Sequence, residues 1–180
     1  MSSQKFQKTI FFILLILTIL GCSTKSTTLA MDTEKKYAYI IKVNINASKE
    51  KVWQTITDFK HYSQWNSVLK MQNNDKLTLG EKFDVTIFAE DGSISDTFEA
   101  TAITKMKDHS FSASQVMLSD SLFKATHHFE IQEVSKNKVT FIQKWEFNGV
   151  LGYLFEGMII DVLQTFKKMN AELKKEIEQK

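Results

Sequence analysis

From Gly149 to Glu178 the apolar residues recur at gaps of three and four: Leu151, Leu154, Phe155, Met158, Ile159, Val162, Leu163, Phe166, Met169, Leu173 and Ile177. That spacing gathers them on one broad face of a single helix. Glu156, Asp161, Gln164, Lys168 and Lys175 hold the opposite face. Opened by Asn148-Gly149, such a helix would be about 40 Å long at about 1.5 Å per residue. A small domain keeps a rod of that length only by wrapping an apolar surface around it.

Upstream the period changes from 3.6 to 2. Over Tyr37–Asn46, the apolar positions Tyr37, Tyr39, Ile41, Val43 and Ile45 alternate with Lys42, Asn44 and Asn46, as in a half-buried strand. Ser48 then suits an N-cap, and Glu50 lies in the first turn, where the helix dipole favours an acid. The short helix predicted there turns Val52, Trp53 and Ile56 inward, and Asp58 is placed to cap a second helical turn through Tyr62. Alternating runs follow, with inner faces Phe83-Val85-Ile87, Ile94-Asp96-Phe98-Ala100, Phe111-Ala113-Gln115-Met117, Phe123-Ala125-His127-Phe129-Ile131 and Val139-Phe141-Gln143-Trp145-Phe147. Asp91-Gly92 marks a tight hairpin, and the other connections are also short, so the strands should form an antiparallel meander. The prediction is an α+β fold: a strongly curved antiparallel sheet of about seven strands around a long C-terminal helix, with two short helices after the first strand.

The chain has 180 residues, enough for one domain with a real core, and its fourteen Phe against six Gly predict a core of large rings. Residues 1–21 stand apart. Lys5 and Lys8 precede an apolar run, Ile10 to Leu20, broken only by Thr18 and followed by Gly21-Cys22. The run is shorter than the roughly 20 residues of an ordinary membrane span. It resembles a bacterial lipoprotein signal peptide whose lipobox, Ile19-Leu20-Gly21-Cys22, would be cleaved before a lipidated Cys22. An uncleaved anchor with an incidental cysteine would tether the chain equally. Residues 22–36 read as the lipidated Cys and a polar linker, and 37–180 as the folded domain. The expected place is the bacterial cell envelope outside the cytoplasm, on the outer membrane where the host has one.

Removing Lys5 and Lys8 with the leader leaves 21 basic against 21 acidic residues. No basic excess remains to attract nucleic acid, and the absence of arginine removes the bidentate fork for phosphates and carboxylates. His127 and His128 are adjacent on a strand and point to opposite faces, so they cannot share a metal ion. No phosphate loop, dinucleotide fingerprint or serine elbow is present, so no cofactor and no metal is expected.

Four stretches carry a further resemblance. They are Ile45-Asn46-Ala47-Ser48-x-Glu50-x-Val52-Trp53-x-x-Ile56-x-Asp58-x-x-x-Tyr62-x-x-Trp65-Asn66, then Phe123-x-Ala125-Thr126-His127-x-Phe129-x-Ile131, Phe147-x-Gly149, and Phe166-x-x-Met169-Asn170-x-x-Leu173-Lys174. In that order they resemble the SRPBCC, or START-like, superfamily, the helix-grip group of polyketide cyclase-like, Bet v 1-like and lipid-transfer domains, over Tyr37 to Lys180. Lys49 and Ser63 stand where the family often has proline, and Ala125 where it often has glycine. The resemblance implies a deep apolar cavity between sheet and long helix, used for hydrophobic small molecules. It does not imply a reaction.

Strand parity and the helix stripe select the residues expected to line that cavity, Phe83, Asp96, Phe98, Gln115, Met117, His127, Phe129, Gln143, Trp145, Met158 and Val162, and the resemblance adds Trp65 at the mouth, after the helical turn that usually closes one end. His127 is either a general acid/base or ligand-orienting group in an apolar pocket, or a core histidine satisfied by a neighbour. Catalysis would require Asp96 or another partner within hydrogen-bond reach. Three functions follow: a tethered carrier of a hydrophobic molecule or lipid, a cyclase- or hydrolase-like enzyme using His127 and Asp96, or an interaction module whose own rings fill the interior.

Overall fold

The computed structural model describes residues 37–179 except 73–76, 90, 118, 120 and 150–155, and leaves out the side chains of 37, 117 and 156–162. Cys22, the leader and the linker lie outside the described residues. Strand β1 (Tyr37–Ile45) leads into helix α1 (Lys49–Thr57) and a 3-10 helix (Phe59–Gln64). Strands β2 (Leu69–Gln72), β3 (Lys82–Phe88), β4 (Ile94–Met106), β5 (Ser110–Met117), β6 (Phe123–Ser135) and β7 (Lys138–Asn148) follow, then helix α2 (Glu156–Glu178).

All seven strands form one antiparallel sheet in the order β1-β7-β6-β5-β4-β3-β2. It is the meander that the short connections predict, with β1 added beside β7. Register shifts at Ile87/Phe88, Ala102/Thr104 and Glu133/Ser135 insert bulges. Bulges bend a strand and increase its twist, which helps a sheet of this width to curl. At the tight hairpin, Gly92 takes a positive φ of 80°, and Asp91 Oδ1 accepts from the Ser93 N–H and hydroxyl at 2.9 and 2.6 Å.

One local expectation is corrected. Ser48 caps α1, accepting from Lys51 N at 3.3 Å, but the Asp58 side chain makes no cap bond to the 3-10 helix. Its carboxylate takes the His61 ring Nδ1 at 2.7 Å instead, a partner within one helical turn. Between Gly149, where the sequence suggests the helix opens, and Glu156 lie residues 150–155, outside the described residues. The Gly149 φ of 103° is left-handed, and the residue passes so close to β6 that a Cβ there would lie 2.6 Å from the Leu122 carbonyl carbon and 2.9 Å from Phe123 N. The described helix begins at Glu156, so its 23 residues span about 35 Å.

The C-terminal half of α2 is firmly seated. Phe166, Met169, Leu173 and Ile177 are buried against Ile45, Val52, Ile56, Phe129, Ile131, Val139 and Phe141 in one core cluster. Polar contacts pin its end. Lys51 Nζ donates to Ile177 O at 2.9 Å, Lys174 Nζ to Asn44 O at 2.7 Å, and Asn46 N to Glu178 Oε1 at 2.7 Å. Glu172 accepts from both Ser67 N and Ser67 Oγ, at 2.9 and 2.6 Å. Among the described residues no helix is long and apolar enough to cross a membrane.

Candidate functional site

The inner faces of β6 and β7 carry two polar side chains among rings, and the register explains their meeting. His127 pairs directly with Trp145, and Gln143 lies two residues further along β7, on the diagonal that a twisted sheet brings within reach. His127 Nε2 and Gln143 Oε1 are 2.9 Å apart. Gln143 Nε2 donates onward to Asn170 Oδ1 on α2 at 2.7 Å. Gln143 is fully buried and Asn170 nearly so. A buried amide left unpartnered costs about 1–3 kcal/mol, and this chain satisfies both, joining two strands to the helix.

The imidazole lies in an aromatic cage. Its centroid is 3.9 Å from that of Phe129, 4.1 Å from Trp145 in a stacked arrangement, and 4.9 Å from Phe166 edge-on. Burial among these rings pulls its pKa down to about 3. The Gln143 bond opposes that shift, and neighbouring His128 adds to it. The ring is therefore neutral at physiological pH. His127 is nevertheless only partly buried, as are Ala125 on the same face and Gln115, which pairs with Ala125 across β5. Phe98 on β4 also keeps accessible surface.

These open positions form one region of the concave face. Beside them the floor is sealed: Phe111, Phe129, Ile131 and Phe141 are at most 1 % exposed. The helix contacts follow the same gradient. Ile177 and Glu178 meet the end of β1 and the start of α1, Asn170 meets Gln143, and Phe166 meets His127 and Trp145.

The expected site residues separate into groups. His127, Phe129, Gln143 and Trp145 come together, with Gln115 beside them and Phe98 further along the same face. Three do not join. Phe83 is buried in the sealed core, stacked on Phe59 at 6.2 Å. Trp65 packs edge-on to Tyr62 and lines a different, polar pocket of about 360 Å³ with Gln54, Asp58, His61, Gln64 and Glu176. That pocket is far from the cage, because Glu176 lies ten residues, about 15 Å, along α2 from Phe166. Asp96 is exposed, and its carboxylate accepts from the Thr97 N–H at 2.9 Å. Partial desolvation pushes its pKa up, against that bond.

The pairing of His127 with Asp96 is not made. His127 sits opposite Ala113, which sits opposite Ala102, and Asp96 is six residues from Ala102 on β4. At about 3.3 Å per residue the two are roughly 20 Å apart along the strands, and His127 takes an amide partner instead. Met117, Met158 and Val162 have side chains outside the described residues. Asn170 is a site residue that strand parity misses, although it sits on the buried stripe beside Met169. An asparagine among Phe166, Met169 and Leu173 signals a buried polar partner across the interface.

No family model matches the sequence, and no curated protein matches it. Solved structures do. A START superfamily protein from Mycobacterium smegmatis superposes with TM-score 0.55 at 16% identity, over 79% of this chain and 97% of that one. The Zhui aromatase/cyclase from Streptomyces sp. R1128 gives TM-score 0.59 at 10% identity, over 80% and 94%. The di-domain ARO/CYC BexL from the BE-7585A biosynthetic pathway gives 0.58 at 15%, over 79% of this chain and 50% of that one, so this chain spans about half of that protein. At these identities the likeness establishes the fold.

Proposed function

We propose, for a chain with the START-like helix-grip fold, that it is a membrane-tethered protein binding a hydrophobic small molecule or lipid between its sheet and α2. The observation that carries this reading is the accessible surface at Ala125, Gln115 and His127 beside the sealed floor of Phe111, Phe129, Ile131 and Phe141. A mostly apolar recess with a few convergent polar groups is the usual form of a small-molecule site. The START superfamily and aromatase/cyclase neighbours support it by fold only. The leader, with Lys5, Lys8, the apolar run and Cys22, supports lipidation and a place on the envelope membrane.

The reading as a binder is favoured over an enzyme because burial among the rings keeps His127 neutral, and among the described residues its hydrogen-bond partner is the Gln143 amide and not a carboxylate that would turn it into a general base. The test is to purify the full-length chain from membranes, extract it with organic solvent and identify what co-purifies by mass spectrometry. The expected result is an apolar molecule near one per chain, and a Cys22→Ser variant that no longer partitions with membranes. A chain that carries nothing and takes up no added apolar compound contradicts the binding reading. Membrane association unchanged in Cys22→Ser contradicts the anchor.

A further inference from the structure

We infer that His127 is the specificity residue of this recess, offering a bare Nδ1 lone pair that selects a neutral ligand with a hydroxyl or N–H donor over an anionic one. The inference rests on the hydrophobic-ligand reading above and adds the chemistry of the head group.

A chain of hydrogen bonds runs from α2 inward. Asn170 Oδ1 can only accept, so the Gln143 amide nitrogen at 2.7 Å is the donor. That fixes the Gln143 amide, and its Oε1 faces His127 Nε2 at 2.9 Å. A carbonyl oxygen can only accept, so the hydrogen of the bond belongs to Nε2. A neutral imidazole carries one N–H. Nδ1 is therefore unprotonated, and among the described residues it has no hydrogen-bond partner. Gln143 and Asn170 act as positioning residues that choose this tautomer, much as partners on one ring nitrogen set the state of the other.

The cage then decides which ligands suit that atom. Phe129, Trp145 and Phe166 supply no hydrogen-bond donor to an anion, apart from whatever the Trp145 indole N–H reaches. The chain has no arginine. A carboxylate placed at Nδ1 would face a lone pair in a poorly solvated site, and protonating the ring to receive it is opposed by the same burial. A hydroxyl meets no such penalty, because it donates to Nδ1 while the rest of the molecule packs on the rings. The ligand class is thus an apolar alcohol or phenol, not a fatty acid or a phosphorylated lipid head.

The experiment uses the full-length chain, labelled with ¹⁵N in histidine and held in lipid nanodiscs. Two-bond ¹H–¹⁵N spectra read the tautomer of His127 without any substitution. The expected pattern is Nε2–H with Nδ1 bare at pH 7, and a Gln143→Leu variant in which that preference is lost. Binding of 1-naphthol, 1-methoxynaphthalene and 1-naphthoic acid is then compared on the unmutated chain. The expected order places 1-naphthol about tenfold tighter than its methyl ether, the size of one hydrogen bond, and the acid weakest. On binding, 1-naphthol should also move the Nδ1 signal upfield, as a nitrogen that accepts a hydrogen bond does.

An Nδ1–H tautomer, or a methyl ether that binds as well as the naphthol, overturns the inference while leaving a hydrophobic site intact. Failure of all three compounds to bind overturns the inference together with the reading on which it rests.

Discussion

At the residue scale the informative group is His127. Its chemistry is only half legible in the sequence. Alternation along Phe123 to Ile131 places it on the inner face, and parity does the same for Gln143. Parity cannot say which of several inward polar groups meet, because that depends on register across strands far apart in sequence. So Asp96, equally inward by parity, belongs to another part of the sheet, while Asn170, hidden in a helical stripe, completes the chain. The neutral ring has a consequence for stability. Its pKa falls from an unfolded value near 6.5 to about 3. Between those values the unfolded state binds the extra proton, so stability attached to this group is full above pH 6.5 and is lost as pH falls toward 3. The slope approaches about 1.4 kcal/mol per pH unit. Urea unfolding at pH 7.0, 5.5 and 4.5 should therefore show a steeper acid loss for the wild type than for His127→Gln. Parallel curves would mean that the ring titrates normally.

At the element scale the clearest constraint is the turn after β7. The sequence shows Asn148-Gly149 as a break and suggests a helix start. A turn and a cap share the same residue preferences, so composition alone does not separate them. In the folded chain the glycine adopts a left-handed φ and brings its backbone so close to Leu122 and Phe123 that no room is left for a Cβ. Gly149→Ala should then cost more than about 2 kcal/mol, from strain and from the displaced β6 entry together, as read by thermal or urea unfolding. A change under about 0.5 kcal/mol would show that the approach relaxes freely. The neighbouring helices are easier to read. Ser48 caps α1 as its type and place suggest, and the three inward residues Val52, Trp53 and Ile56 are all buried. Asp58 turns to His61 because an exposed imidazole three residues on competes with the backbone for the same carboxylate.

At the scale of the whole molecule the sequence carries the architecture well. Period two, short connections and one long amphipathic stripe leave few ways to bury the apolar faces, and the seven-stranded sheet wrapped on α2 is the one they favour. What they cannot show is where the grip is tight. Lys51, Lys174, Glu172 and Glu178 clamp the C-terminal half of the helix to β1, α1 and the Ser67 loop. Each of these contacts joins residues far apart in sequence. The result is a helix tightly seated over its C-terminal half, with accessible concave surface at Ala125, Gln115 and His127. That asymmetry is the central claim, and it can be tested by filling the space. In a packed interior, replacing alanine by phenylalanine forces neighbours aside and typically costs about 1–3 kcal/mol. In an open recess the added ring buries apolar surface without displacing anything. The unfolding free energy of Ala125→Phe, measured against the wild type by urea titration at pH 7, distinguishes the two. The expected outcome is a stability equal to or above that of the wild type. A loss of about 2 kcal/mol or more would mean that the space beside His127 is already full, and would contradict the account.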